Sequence, residues 1–334
     1  MDFSFQSVTI LGAGAWGCTL ASLFHAKETH VTLWEHQAEK VEELKKNRHP
    51  FGVEELILST EIKITADLAK AVNKTDLIVF VIPSQTIHPA AREVSLVLKS
   101  APKAVLLASK GLDISSRKTL AACIHDSLPS VPLAVVSGPC IAREVAQGVP
   151  TSVVVASQNT ECSHALIQLL NTPRLRCYQQ TDVLGVELGG ALKNVIAVAA
   201  GISDGLGFGE NSKSALLTRG LAEMTRFAEA LGANPVTITG LAGLGDLAVT
   251  CFSPHSRNRT FGELLGKGLS PNEAKAKIGM TVEGEPTANA ALQMASKHGT
   301  ELPITEVVVA VCANKLSPAE AVDHLMTREL KSEF

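Results

Sequence analysis

Several classes of protein are excluded by what this sequence does not contain. No apolar run approaches, without polar interruption, the roughly 18 residues that would span a bilayer. The N-terminal stretch Met1 to Ser7 has neither the basic region nor the apolar stretch of a secretory signal. A cytoplasmic protein without membrane insertion is the expectation. The cysteines Cys18, Cys123, Cys140, Cys162, Cys177, Cys251 and Cys312 are odd in number and never paired as C-x-x-C, and the 10 histidines show no H-E-x-x-H spacing. That pattern argues against a disulfide scaffold and a structural zinc site, so no metal is expected. Charge excess is also missing: 30 Lys+Arg stand against 33 Asp+Glu, a net charge of -3, which argues against nucleic acid or another polyanion as partner. There is no internal repeat and no low-complexity tract.

What is present is an ordered chain of 334 residues with 46% hydrophobic and 19% charged residues, long enough for two cores. Its two halves differ. Short β-rich runs at Val8 to Leu11, Val31 to Trp34, Asp76 to Ile82, Ala104 to Ser109, Leu133 to Ser137 and Ser152 to Ala156 alternate with helical patterns, which predicts βαβ units around a mostly parallel sheet. After Thr181 helical patterns take over, over Leu184 to Ile202, Ser212 to Leu231, Glu263 to Leu265, Pro271 to Ile278, Thr287 to Lys297, Thr305 to Ala313 and Pro318 to Leu325. The expected fold is an α/β, Rossmann-like doubly wound N-terminal domain over 1–182. An all-α C-terminal domain over 183–334 follows.

The first strand runs into Gly12-Ala13-Gly14-Ala15-Trp16-Gly17 and then a helix former, the G-x-G-x-x-G pattern in its strand–turn–helix setting. Gly12 permits the tight turn, Gly14 lets backbone approach a pyrophosphate, and Gly17 lets helix and strand pack closely. At the end of the second strand Glu35 suits ribose hydroxyls and favours NAD, while His36 suits a 2′-phosphate and favours NADP. The choice between the two cofactors stays open. Two further strand ends carry ligand chemistry: Ser109-Lys110-Gly111 sets a cation beside a glycine, and Ser137-Gly138-Pro139-Cys140-Ile141-Ala142 is a tight turn with exposed amides.

In the second half, the stretch Gly189 to Ser203 reads GGALKNVIAVAAGIS, with Lys193 its one charge and Asn194 its one amide. An ammonium there must snorkel to water, find a carboxylate or lose its proton, because desolvation disfavours the charged form. Gly240 to Asp246 reads as a glycine-rich loop ending on a carboxylate. Ser256-Arg257-Asn258-Arg259 reads as a polar loop whose guanidinium and small polar groups suit a phosphate.

GAGAWG, SKG at Lys110, SGP at Ser137, ALKNV at Lys193, GLGFGEN at Gly205, GLGD at Asp246 and SRNR at Arg257 occur in the order found in glycerol-3-phosphate dehydrogenases. Over essentially its whole length the chain resembles the bacterial NAD(P)-dependent family. The resemblance implies reversible reduction of dihydroxyacetone phosphate to sn-glycerol 3-phosphate with NAD(H) or NADP(H), for glycerophospholipid synthesis, by a cytoplasmic homodimer. It implies Lys193 as the catalytic lysine; on physical grounds Asp246 would then orient its ammonium and Asn194 would fix the substrate or the nicotinamide amide. Substrate contacts fall on Lys110, Gly138, Cys140, Lys193, Asp246, Ser256, Arg257 and Asn258. Cofactor contacts fall on Gly12, Gly14, Ala15, Trp16, Gly17, His36, Lys110, Ala142, Arg257, and the segment Thr281-Val282-Glu283-Gly284, to which the reading of the second strand end adds Glu35.

Two departures stand out. Cys140 occupies a position where the family commonly carries serine, threonine or asparagine, and Asn47 to Ser59 lacks the usual tyrosine-leucine-proline-glycine pattern. The same residues also admit a 3-hydroxyacid or 2-hydroxymethyl-acid dehydrogenase, since phosphate and carboxylate are both anions. A dinucleotide-binding redox sensor accommodates the glycine turn alone.

Overall fold

The computed structural model describes residues 3–53, 55–330 and 332–333. The chain divides into two compact units, one joining the residues up to Asp113 with Lys118–Glu187, the other joining Ile114–Arg117 with the residues from Leu188 onward.

In the first unit the strands are β1 (Ser7–Leu11), β2 (His30–Trp34), β3 (Lys63–Thr65), β4 (Leu77–Phe80), β5 (Ala104–Leu107), β6 (Leu112–Asp113), β7 (Lys118–Thr119), β8 (Leu133–Ser137), β9 (Thr151–Ala156) and β10 (Leu175–Gln180). Its helices are α1 (Ala15–His25), α2 (Ala38–Asn47), α3 (Leu68–Ala71), α4 (Ile87–Val97), α5 (Leu120–Ser127), α6 (Ala142–Ala146) and α7 (Thr160–Leu170). Eight strands form one sheet in the order β10-β9-β8-β5-β4-β1-β2-β3, and β6 and β7 form a separate hairpin. Neighbours in the large sheet are parallel except β8 and β9, which pair with Val136 opposite Val155. All four residues of β4 and of β5 are buried, as expected of parallel strands covered on both faces. The strand order reverses beside β1, where β4 pairs on one side and β2 on the other. Open α/β sheets hold their ligands at that place.

Sequence patterns did not predict β3, β10 or the hairpin. β3 has three residues, and β10 (LRCYQQ) is an edge strand with one buried residue, so neither needs an apolar run. In the atypical stretch after α2, the Arg48 guanidinium donates to the carbonyls of Ser59 at 3.1 Å and Ile62 at 2.9 Å, while Val53 and Leu58 are buried. Glu54, within that stretch, lies outside the described residues.

The helices that follow are α8 (Val183–Gly205), α9 (Glu210–Ala230), α10 (Pro235–Ile238), α11 (Asp246–Phe252), α12 (Arg257–Gly266), α13 (Pro271–Ile278), α14 (Gly284–His298), α15 (Pro303–Cys312) and α16 (Pro318–Met326). Helix α8 is long and apolar enough to cross a membrane by length and composition, as is the helical stretch Pro235–Phe252. In α8, however, 89% of the most apolar window is buried inside the protein, the condition of a core helix. Helices α8 and α12 approach backbone to backbone. A Cβ on Gly201 would lie 1.9 Å from the Arg259 carbonyl oxygen, and one on Gly262 would lie 1.9 Å from that of Val198.

Two expectations are corrected here. The stretch after Gly240 is not a loop: Leu241–Gly245 forms a π-helical turn that leads straight into α11. The stretch after Ser256 is the first turn of α12, because the Ser256 hydroxyl accepts the Arg259 N–H at 3.2 Å as N-cap.

Buried glutamates cap helices from a distance in each unit. Glu187 accepts the Ala121 N–H at 2.8 Å at the start of α5. Glu223 accepts the N–H groups of Ile304 at 2.8 Å and Thr305 at 3.0 Å at the start of α15. Both carboxyls meet the positive end of a helix dipole, yet desolvation wins and raises their pKa, Glu187 to about 7. The unfolded chain titrates Glu187 near 4.5 and the folded chain near 7, so folding takes up a proton in that window. Its contribution to stability is full below the unfolded value and is lost as pH rises to about 7. Urea midpoints of wild type and Glu187→Gln should therefore coincide near pH 4.5 and separate by pH 8, with the variant the more stable. A difference that does not change with pH would contradict this.

Candidate active site

Gly12, at φ 116°, donates its N–H to the Trp34 carbonyl at 2.9 Å, and a Cβ there would sit 2.4 Å from the Val81 carbonyl oxygen. A Cβ on Gly17 would sit 2.0 Å from the Gly12 carbonyl oxygen. Packing within the protein thus accounts for two of the three glycines. It does not account for Gly14, the N-cap of α1, where a Cβ would meet nothing within 4 Å. Among the described residues no side chain caps α1, and its first turn carries no acidic residue. Open space above a bare helix N-terminus is what a pyrophosphate requires, and a dinucleotide fits.

Ala15 and Trp16 begin α1, the indole packing partly against the core. Glu35 follows β2, and its carboxylate accepts the Ala13 N–H of the glycine turn at 3.4 Å and the Gln37 N–H at 3.2 Å. His36 points outward with its Nδ1 2.8 Å from that carboxylate. Ala142 opens α6, and its carbonyl accepts the Thr19 hydroxyl of α1 at 3.4 Å.

Two strand ends converge as well. Lys110, after β5, donates from Nζ to the Gly138 carbonyl at 3.0 Å and reaches Cys140 Sγ at 3.5 Å. Gly138 has φ 131°, and a Cβ there would press on Val153 Cα at 3.1 Å. Cys140 in the serine-like position thus offers a weak sulfur acceptor to an ammonium.

The helical unit carries the buried charge. Lys193, on α8, is 8% exposed, and its Nζ lies 3.0 Å from Asp246 Oδ1. It also donates to the Thr250 hydroxyl at 2.7 Å, which in turn donates to the Asp246 carbonyl at 2.6 Å. Asp246 is 2% exposed and begins α11, so the π-helical turn is what delivers this carboxylate to the lysine. Of the three fates open to this head group, the structure thus shows pairing with a carboxylate rather than snorkelling to water. Thr250 went unrecognised in the sequence; its signal is the i, i+4 spacing from Asp246, which is meaningful only once α11 is known to be a helix.

Beside this pair the amide of Asn194 accepts from Asn258 Nδ2 at 2.9 Å, and Asn258 Oδ1 accepts the Gly284 N–H at 2.9 Å. Thr281 is exposed and Glu283 is the N-cap of α14. Of the two arginines in the polar motif, Arg259 is engaged by Asp204 at 2.7 Å and Glu263 at 3.2 Å. Arg257, first residue of α12, reaches solvent, yet surrounding protein partly desolvates its guanidinium and lowers its pKa, which the charge of Glu283 opposes.

A dinucleotide-ready Rossmann unit together with a helical unit holding a buried Lys–Asp pair defines a two-domain nicotinamide-dependent oxidoreductase. Comparison with known proteins narrows the class. The family description "NAD-dependent glycerol-3-phosphate dehydrogenase N-terminus" matches residues 7–163, and its C-terminal counterpart matches residues 182–323. Glycerol-3-phosphate dehydrogenase [NAD(P)+] of Geobacter sulfurreducens is 44% identical over 98% of this chain and 99% of its own. A Salinibacter ruber relative of the same name is 42% identical, covering 98% and 97%. The crystal structure of glycerol-3-phosphate dehydrogenase from Coxiella burnetii matches with a TM-score of 0.92 at 36% identity, over 98% of this chain and 100% of that one. The chain belongs to the NAD-dependent glycerol-3-phosphate dehydrogenase family.

The Lys193–Asp246 pair has a measurable cost structure. Asp246→Leu should destabilise the chain by about 3–5 kcal/mol in urea unfolding, because it strands a buried ammonium, and adding Lys193→Met should recover most of that loss. A double variant no more stable than the single one would show that the lysine does not depend on its partner.

Proposed function

We propose that the protein catalyses reversible reduction of dihydroxyacetone phosphate to sn-glycerol 3-phosphate, and that the buried Lys193–Asp246–Thr250 cluster is its acid–base centre. The cluster carries the reading, since a dinucleotide sensor has no use for a paired lysine inside an apolar helix. When bound, the nicotinamide supplies the hydride to C2 in one direction and takes it back in the other. Negative charge grows on the carbonyl oxygen as the hydride arrives. The Lys193 ammonium stabilises that charge and gives up one proton to it, and in the oxidative direction the amine removes the proton from the C2 hydroxyl. Asp246 and Thr250 hold the ammonium in one orientation. Asn194, pinned by Asn258, presents a fixed amide to the substrate or the nicotinamide carboxamide.

Arg257 grips the phosphate at the N-terminus of α12, where the helix dipole favours an anion. Lys110, Gly138, Cys140, Ser256 and Asn258 supply the remaining substrate contacts. Binding energy gathered at the phosphate, remote from C2, aligns the reacting carbon. Gly12, Gly14, Ala15, Trp16, Gly17 and Ala142 hold the dinucleotide, joined by Lys110, Arg257, Thr281 and Glu283. Glu35 and His36 face its adenosine ribose. The Glu35 carboxylate is turned toward the glycine turn and disfavours a 2′-phosphate, which supports NADH as the better substrate.

Residues 1–182 serve as the cofactor domain and 183–334 as the substrate domain. Assembly as a homodimer belongs to the same proposal. A cytoplasmic role in supplying glycerol phosphate for phospholipids accords with the family.

Following NADH and NADPH absorbance with dihydroxyacetone phosphate and with a panel of keto acids tests this reading. Oxidation with the phosphate alone, faster with NADH, is expected, and Glu35→Gln should narrow the gap between the coenzymes. Activity confined to keto acids would contradict the substrate assignment.

A further inference from the structure

Away from these residues, three metal-ligating side chains of different chemistry meet in the first unit. His88 comes from α4, Asp113 from the end of β6 and Cys123 from α5, and their donor atoms all lie within 4.8 Å of one another. Cys123 is fully buried, Asp113 is 2% exposed and His88 is half-buried. We propose that His88, Asp113 and Cys123 form a binding site for a divalent, thiophilic cation, zinc in the first place.

Each ligand is held from outside the cluster. Helices α4 and α5 pack against each other, which fixes the spacing of the imidazole and the thiol. Gln85, just before α4, donates to the Leu112 carbonyl at 2.7 Å, and Leu112 pairs with Thr119 across the hairpin, so Asp113 is tied to both helices. Glu187 secures the start of α5 two residues before Cys123. Lys118, the neighbouring cation of the hairpin, is engaged with Asp126 at 2.7 Å.

The donor set selects the ion. Imidazole nitrogen, carboxylate oxygen and thiolate sulfur together suit zinc or cobalt(II), whereas magnesium and calcium prefer oxygen alone. Tetrahedral zinc holds N, O and S ligands at about 2.0–2.3 Å, so ligands around one ion stand about 3–4 Å apart, a spacing to which metal entry would draw donor atoms that lie within 4.8 Å of one another. Cys123 binds as thiolate and releases its proton to solvent on metal entry. The half-exposed side at His88 leaves the fourth corner to water. Asp113 lies shortly after Lys110 in the chain, so an ion there would stiffen the segment that carries a proposed substrate lysine. Local spacing, the ground for expecting no metal, cannot register ligands drawn from three separate elements.

Cobalt(II) titration of the full chain tests the proposal without reference to activity. One cobalt per chain should bind with a near-ultraviolet thiolate-to-metal charge-transfer band, and zinc should displace it. Cys123→Ser should abolish the band. His88→Ala, at the half-exposed corner, should keep the fold and weaken zinc binding by more than about 100-fold, beyond the loss usual for an outer-shell partner. Absence of a thiolate band in the wild type would overturn the site. So would a band that survives Cys123→Ser, since it would then come from another of the seven cysteines, and so would undiminished zinc affinity in His88→Ala.

Discussion

One buried ammonium governs the construction of the helical unit. Helix α8 is the core of that unit and excludes charge over most of its length, yet it carries Lys193 at 8% exposure. Such a group is tolerable only with a carboxylate and a hydroxyl within hydrogen-bonding distance. Asp246 and Thr250 meet that need from a single short helix, one turn apart, and the π-helical turn before them sets the register that aims both at α8. On another part of α8 the glycines at 201 and 205 let α12 approach to backbone contact, with Gly262 and Gly266 opposite. That close approach brings Asn258 to Asn194 and, through Asn258, the start of α14 at Gly284. Lysine, carboxylate, amide pair and the exposed arginine of α12 are thus all placed by what packs on one helix.

The Rossmann unit obeys a different constraint, the geometry of a strand turning into a helix. Gly12 and Gly17 are fixed by the protein's own backbone, while Gly14 leaves room that the protein itself does not use. A turn that merely packed would need the first two and not the third. The distinction separates a dinucleotide turn from the many glycine-rich turns that resemble it in sequence.

Much of this was legible in the sequence where the physics is local. The glycine turn, the buried runs of β4 and β5 and the periodic helices α8, α13 and α16 all announce themselves within a short window. So did Lys193, by being the one charge in an apolar stretch. What escaped depended on tertiary partners. Strands β3 and β10 are short or polar because an edge needs little apolar surface. Glycines between Gly240 and Asp246 suggest a loop, but close packing on Ile238 holds them in a π turn, since a Cβ on Gly243 would lie 2.0 Å from the Ile238 carbonyl oxygen. Arg257 and Arg259 look alike in sequence; only the ion pairs with Asp204 and Glu263 show that Arg259 has a structural task. Glu187 and Glu223 carry no local signal, since each caps a helix distant in the chain, and the spacing of Thr250 from Asp246 gains meaning only once α11 is formed.

The central claim is that Lys193 moves the proton that accompanies the hydride. The most direct measurement is steady-state turnover of Lys193→Ala with dihydroxyacetone phosphate, with and without added small primary amines. Turnover should fall by about 10²–10⁴-fold and recover with amine concentration, more strongly for amines of suitable basicity. Undiminished turnover without amine would contradict the account.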